Sequence, residues 1–182
     1  MLRIILIITI MGSAICTTYA QKRKQQKEKN STQKTDVVAD TVNYKAIGSP
    51  MPVLDIITKD NIRLTGKDFS KEGNLFVMIF SPECDHCQSL TLELEKNIAK
   101  FNKTDIVMVC YPSQKEQLEF FNNITRHHKY SNIYVGIDSA GFIPKTYPYG
   151  TLPYINVYDK DRKLIKTFTN EASFKDLEPY VE

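Results

Sequence analysis

Residues 75–87, with the sequence LFVMIFSPECDHC, decide how this chain folds. The first six residues, Leu75–Phe80, form an unbroken apolar run, which is typical of a strand buried on both faces in a sheet covered by helices. A Ser-Pro-Glu turn comes next. After the second cysteine, apolar residues recur at every third or fourth position as far as Phe101, which predicts a helix over residues 86–101. The two cysteines of the stretch therefore lie at a junction between a strand and a helix.

This junction gives Cys84 and Cys87 a defined chemistry. Unpaired backbone N–H groups and the positive end of the helix dipole stabilise a thiolate at Cys84. A thiolate is the form that attacks a disulfide, and Cys87 can then resolve the mixed disulfide. A cationic His86 would favour the thiolate of Cys84, whereas Asp85 would disfavour it. The pattern therefore indicates redox chemistry without setting its direction.

The first twenty residues are typical of a secretory signal peptide. Met1-Leu2-Arg3 is a short basic start, residues 4–15 are almost wholly apolar, and Thr18-Tyr19-Ala20 offers a small-residue cleavage site. We therefore expect an exported protein of the periplasm or cell envelope. The basic residues that follow favour the alternative of an uncleaved N-terminal membrane anchor, because such a flank prefers to stay in the cytoplasm.

Residues 21–45 are interpreted as a flexible basic linker, because they contain no Phe, Leu, Ile or Met and offer little to bury. Between Gln21 and Thr35 six basic residues face one acid, so the linker could make peripheral contact with an anionic membrane surface. From Ala46 onward 16 basic residues stand against 18 acids. This slightly acidic remainder, residues 46–182, is predicted to be one domain and to bind no nucleic acid.

The domain reads as alternating strands and helices that end in a hairpin. Residues 53–57 and 62–64 are predicted strands, the first of them at a sheet edge because prolines precede it. Residues 106–110 and 133–137 are further predicted strands. We also expect a helix capped by Ser113 with Glu116 three residues on, a hairpin over 154–168, and a terminal helix over 171–181. This order predicts an α/β fold with a mixed central sheet and helices on both faces.

The arrangement resembles the thioredoxin fold, and more closely the exported TlpA-like thiol-disulfide oxidoreductases. Residues 80–87 stand where that family has its active-site CxxC, and Gly150-Thr151-Leu152-Pro153 stands where it has its cis-proline. The hairpin turn over 158–162 and an N-terminal β extension before Gly73 also match. The resemblance covers roughly residues 48–182.

The resemblance implies a set of site residues. Cys84 and Cys87 would be catalytic, with His86 adjusting the reactivity of Cys84. Pro153 would pack in cis against the two cysteines, and Leu152, with Thr151 before it, would pair through its backbone with a substrate strand. The implied partners are protein thiols or disulfides and an unidentified redox partner, with a monomeric enzyme that needs no cofactor and no metal.

The sequence departs from the family at two positions. The family places a proton-carrying acid six residues before or six residues after the first cysteine, where this chain has Met78 and Leu90. The nearby proton carriers are then Glu83, Asp85 and His86. Because both acids are missing, the reactivity of the two thiols is expected to depend on Asp85 and His86, the residues between the cysteines.

Several alternatives stay open at this stage. A peroxiredoxin-like peroxidase would use Ser81-x-x-Cys84, and a non-catalytic protein would use both thiols to bind Cu(I) or another metal. Cys110, His127 and His128 are the candidate extra ligands for zinc, in no regular arrangement. Cys110 is expected to be a small core residue, with a third redox cysteine as the alternative. Three tyrosines near Pro153 could line a substrate groove: Tyr147, Tyr149 and Tyr154.

Overall fold

A computed structural model of the chain describes residues 42–147 and 150–182. The predicted signal peptide, most of the predicted linker and Tyr149 lie outside these residues. The strands are β1 Asp55–Ile57, β2 Arg63–Thr65, β3 Leu75–Ile79, β4 Asp105–Cys110, β5 Ile133–Asp138, β6 Tyr154–Tyr158 and β7 Leu164–Thr169. The α-helices are α1 Asp85–Lys96, α2 Leu118–Ile124, α3 Phe142–Thr146 and α4 Phe174–Leu177, and 3-10 turns span Ile98–Lys100, Pro112–Gln117, His127–Lys129 and Glu178–Tyr180.

The strands form one mixed sheet in the order β2-β1-β5-β4-β3-β6-β7. β3 lies between β4, to which it is parallel, and β6, to which it is antiparallel. All five residues of β3 are buried, as the apolar run predicts. The carboxyl end of this central strand is where the chain turns toward the two cysteines.

Alternate residues of β3 pack in two different hydrophobic clusters, one on each face of the sheet. Phe76 and Met78 join a cluster with residues of α1, α2 and α4, whereas Val77 and Ile79 join a cluster with residues of α3 and of the N-terminal segment. Helices therefore cover both faces of the sheet. The predicted α/β class, the mixed sheet and the N-terminal β extension are confirmed.

The prediction that β1 is an edge strand is wrong. β1 pairs with β2 on one side and with β5 on the other, so β2 is the outer strand. Pro50 and Pro52 precede Asp55, the first strand residue, and so remove no donor from either ladder.

The predicted helices are shorter than expected. α1 ends at Lys96, and a 3-10 turn continues to Lys100. The terminal helix is likewise one α-helical turn followed by a 3-10 turn. Ser113 is not a helix cap, because the segment begins at Pro112 as a 3-10 turn capped by Tyr111, and α2 starts only at Leu118. The hairpin of β6 and β7 is as predicted.

Candidate active site

The turn between β3 and α1 is held by main-chain and side-chain hydrogen bonds. The Phe80 N–H donates to the Val109 carbonyl (3.1 Å), which extends the pairing of β3 with β4 by one residue. The Cys84 N–H then donates to the Ser81 carbonyl (3.1 Å) and closes the turn. On the helix side, Gln88 Nε2 donates to the Pro82 carbonyl (2.7 Å). The backbone at Cys84 is thus fixed relative to both the strand and the helix.

Cys84 and Cys87 are joined as a disulfide, with their Cα atoms 5.2 Å apart. Cys84 is the N-cap of α1, and its Sγ accepts a hydrogen bond from the Cys87 N–H (3.2 Å). Cys84 is half-buried, whereas Cys87 is completely buried. In the reduced pair, the Cys84 sulfur would therefore meet both solvent and the positive end of the helix, which favour an attacking thiolate.

Apolar packing surrounds Cys87. It belongs to the core cluster that also holds Met78 and Leu90, the two residues at the positions where the family carries an acid. On the next turn of α1, the buried Thr91 hydroxyl donates to the Cys87 carbonyl (2.7 Å). Neither of these two positions therefore provides a carboxylate that could exchange a proton with Cys87.

The loop before β6 reaches the same end of the sheet. The Leu152–Pro153 peptide bond is cis, as expected, and Pro153 is buried. Tyr154 pairs with Ile79 at the end of β3, and this register places Pro153 beside the turn that carries Cys84. Leu152 is half-buried and packs against both cores, whereas Thr151 is exposed. The backbone of Leu152 makes no hydrogen bond to another described residue.

The residues between the cysteines are on the surface. Asp85 and His86 are exposed, as is Glu83 before them. The His86 side chain makes no hydrogen bond or ion pair with another described residue. It lines a shallow depression of about 290 Å³ between α1 and the loop after β7, whose other walls include Glu93 and Glu171. His86 thus lies two positions after Cys84 in the chain, and its side chain has no fixed partner among the described residues.

The predicted tyrosine groove is corrected in part. Tyr147 is 1% exposed and its hydroxyl is hydrogen-bonded to that of the equally buried Tyr158, so it belongs to the core. Burial raises the pKa of both hydroxyls. Tyr154 is half-buried, with its ring centroid 5.7 Å from that of Tyr147. Of the three tyrosines, only Tyr154 is both described and partly accessible.

Cys110 is a core residue, as expected. It is fully buried in the same cluster as Cys87, and desolvation raises the pKa of its thiol to about 12. A group of three or more His, Cys, Asp or Glu residues with the geometry of a metal site is not found within residues 42–147 and 150–182. His127 is instead buried, with its ring centroid 5.7 Å from that of Phe121 in α2, and is hydrogen-bonded to Thr125.

Gln114 contributes to the site and was not predicted from the sequence. Its Nε2 donates to the Ser81 hydroxyl (2.8 Å), which links the segment after β4 to the turn before Cys84. Gln114 lies within the capping pattern assigned to Ser113 and Glu116, so a different choice of cap would have drawn attention to it.

A central β3–α1 unit with paired cysteines at the helix start and a cis-proline on the neighbouring strand defines the thioredoxin fold. Sequence similarity and structural similarity agree with this fold. The chain has a thioredoxin-like fold, and its sequence is similar to that of a thiol-disulfide oxidoreductase, ResA.

The chain is 23% identical over 136 residues to the thiol-disulfide oxidoreductase ResA of Bacillus thuringiensis subsp. konkukian, which covers 75% of this chain and 77% of that protein. The thioredoxin domain of a thiol-disulfide oxidoreductase from Bacteroides vulgatus superposes with a TM-score of 0.59 at 20% identity, covering 75% of this chain and 99% of that one. An exposed lipoprotein thioredoxin from Streptococcus pneumoniae gives 0.53 at 18% identity, with coverage of 69% and 95%. No protein-family model matches the chain.

Proposed function

We propose that this enzyme is a thiol-disulfide oxidoreductase that exchanges disulfides with cysteines of other proteins through Cys84 and Cys87. One observation carries the proposal: the two cysteines are bonded to each other, and only Cys84 is partly accessible at the start of a helix. Similarity to the thiol-disulfide oxidoreductase ResA supports the same reaction class.

In the reducing direction, the Cys84 thiolate attacks one sulfur of a substrate disulfide. A Cys84–substrate disulfide forms and the other substrate sulfur leaves as a thiolate, which takes up a proton from solvent. Cys87 then loses its proton and attacks the Cys84 sulfur, which releases the second substrate thiolate and forms the Cys84–Cys87 disulfide. Two electrons pass from the enzyme to the substrate. The same steps in reverse oxidise a substrate dithiol.

Leu152 and Pro153 would position the substrate chain. The Leu152 backbone is not hydrogen-bonded to another described residue, so its polar groups are available to an extended segment that carries the substrate cysteine. Thr151 is exposed beside it and would contact the same segment. His86, which is exposed next to Cys87, would adjust the reactivity of Cys84.

The proposed location is outside the cytoplasm, in the periplasm or cell envelope. The apolar start of the chain and the similarity to an exposed lipoprotein thioredoxin support this location. Among the residues that the structure describes, no helix has the length and apolar character that a membrane span requires. We propose a monomer that meets substrate proteins and a separate redox partner there, with the basic linker over residues 21–45 free to contact the membrane surface.

Reduction of insulin disulfides by the full-length protein, driven by dithiothreitol, tests the proposal, together with the oxidation of a reduced dithiol peptide. We expect activity in at least one direction, and its loss in Cys84→Ser. Cys110→Ser is the matched control, because that buried cysteine takes no part in the exchange. Absence of exchange in both directions would contradict the proposal, as would peroxide consumption or stoichiometric Cu(I) binding as the sole dithiol-dependent property.

A further inference from the structure

The turn that carries Cys84 is connected to a second element by a side-chain amide. Gln114, in the 3-10 turn after β4, donates from Nε2 to the Ser81 hydroxyl (2.8 Å). The carbonyl of the same Ser81 accepts the hydrogen bond from the Cys84 N–H (3.1 Å). Ser81 thus links the side-chain amide of Gln114 to the backbone of Cys84.

Gln114 is itself held in place at two further points. Its backbone N–H donates to the Tyr111 carbonyl (2.9 Å), and its Oε1 accepts from the Tyr111 N–H (3.3 Å). Both Gln114 and Ser81 are half-buried. Because Oε1 of Gln114 accepts a hydrogen bond from Tyr111, just after β4, the amide is oriented so that Nε2 faces Ser81, just after β3.

The position of this turn matters for the sulfur of Cys84. As the N-cap, Cys84 has an extended backbone (φ −81°, ψ 112°), and this conformation directs Sγ to the Cys87 N–H at 3.2 Å. A hydrogen bond to the charged form of a group favours that form, so loss of this contact disfavours the thiolate. Gln88 holds the helix side of the turn through the Pro82 carbonyl, and Gln114 is the corresponding contact on the strand side.

We propose that Gln114 is a positioning residue for the Cys84 thiolate, acting through Ser81. It touches neither substrate nor the reacting sulfurs. The inference deepens the proposed function, on which it rests for its effect on turnover, and it also makes a claim about the reactivity of the reduced cysteine alone.

The test is the pH profile of Cys84 alkylation by iodoacetamide in the reduced full-length protein. For Gln114→Ala we expect the midpoint of the profile to rise by about half a pH unit, which is a roughly threefold lower rate below the midpoint. Ser81→Ala should give the same shift, and the double variant should give no more than either single change, because both remove one contact. Gln117→Ala is the matched control on the same 3-10 turn and should leave the profile unchanged.

An unchanged midpoint in Gln114→Ala would overturn the inference, as would full additivity of the two changes. Equal shifts in Gln114→Ala and Gln117→Ala would also overturn it, since they would indicate a general loosening of the turn. The alkylation profile does not require turnover. A wild-type protein that fails to exchange disulfides would therefore contradict the proposed function, whereas the alkylation midpoints would still decide this inference.

Discussion

Cys84 and Cys110 show how the surroundings of a cysteine decide its chemistry. Cys110 is completely buried at the end of β4, and desolvation raises the pKa of its thiol to about 12, so it stays protonated at physiological pH. Cys84 is half-buried at the start of α1, where a backbone N–H contacts its sulfur. The possibility of a third redox cysteine therefore receives no support from the position of Cys110.

His127 is the residue whose titration should be visible in the stability of the protein. It is 8% exposed, and burial, with smaller contributions from His128 and Lys59, lowers its pKa from the ordinary 6.5 to about 4. The Thr125 hydroxyl proton is donated to the Phe121 carbonyl (2.8 Å), so Nδ1 of His127 carries the proton in its own bond to Thr125 Oγ1 (2.9 Å). The folded state thus holds a neutral imidazole.

We expect the free energy of unfolding to fall as the pH decreases from about 6.5 to about 4, because the unfolded chain binds a proton there that the folded chain does not. A base with a depressed folded pKa contributes stability that is fully present above its unfolded pKa and lost below it. The contribution is on the order of 3 kcal/mol. His127→Asn keeps a donor near the Nδ1 position and should flatten this slope, as measured by urea unfolding at several pH values.

His86→Asn is the matched control, since His86 is exposed and is not among the groups that lower the pKa of His127, so it should leave the slope unchanged. Burial raises the pKa of Glu95, which gives a slope of opposite sign, but Glu95 is present in every variant and cancels in the comparison. An identical pH dependence in wild type and His127→Asn would contradict this account.

At the scale of elements, the N-terminal extension is joined to the sheet through a close approach of backbones. β1 pairs with β5 at Ile56 and Ile57, and Asp55 of the extension also accepts a hydrogen bond from the Ser139 hydroxyl, just after β5. Gly136 in β5 faces this strand: a Cβ built on it would lie 2.7 Å from the Ile57 carbonyl oxygen. Only glycine allows β1 to come so near.

Gly136→Ala should therefore lower the free energy of unfolding by about 1–3 kcal/mol, the usual effect of forcing extra atoms into a packed site. Urea unfolding of the full-length protein measures it. Gly66→Ala is the control, because its Cβ would meet only Met51 Cε at 3.5 Å, an ordinary contact. Equal stability of the two variants would show that β1 does not pack as described.

The elements that periodicity specifies were predictable from the sequence, and their ends were not. β3 and the β6–β7 hairpin follow directly from apolar runs and alternation. The end of α1 at Lys96 and the 3-10 start at Pro112 depend on local hydrogen bonds that compete with helix propensity. The contact of Gln114 with Ser81 joins two loops and leaves no periodic signal.

At the scale of the whole molecule, the sheet brings together residues that are far apart in sequence. The register of β3 with β6 places Pro153 beside the turn that carries Cys84, and the parallel pairing of β3 with β4 brings Gln114 to the same turn. The thiol pair and the proline were predictable because the family resemblance covers both. Which cysteine is accessible, and what holds it, required the three-dimensional structure.

The central claim is that Cys84 attacks and Cys87 resolves, and trapping of the mixed disulfide tests it most directly. Reduced full-length Cys87→Ser is incubated with insulin, and the adducts are located by mass spectrometry after digestion. We predict a stable disulfide between Cys84 and an insulin cysteine in this variant, and little adduct at Cys87 in Cys84→Ser, because Cys87 is buried. Equal trapping at Cys87 in Cys84→Ser, or no adduct in either variant, would contradict the account.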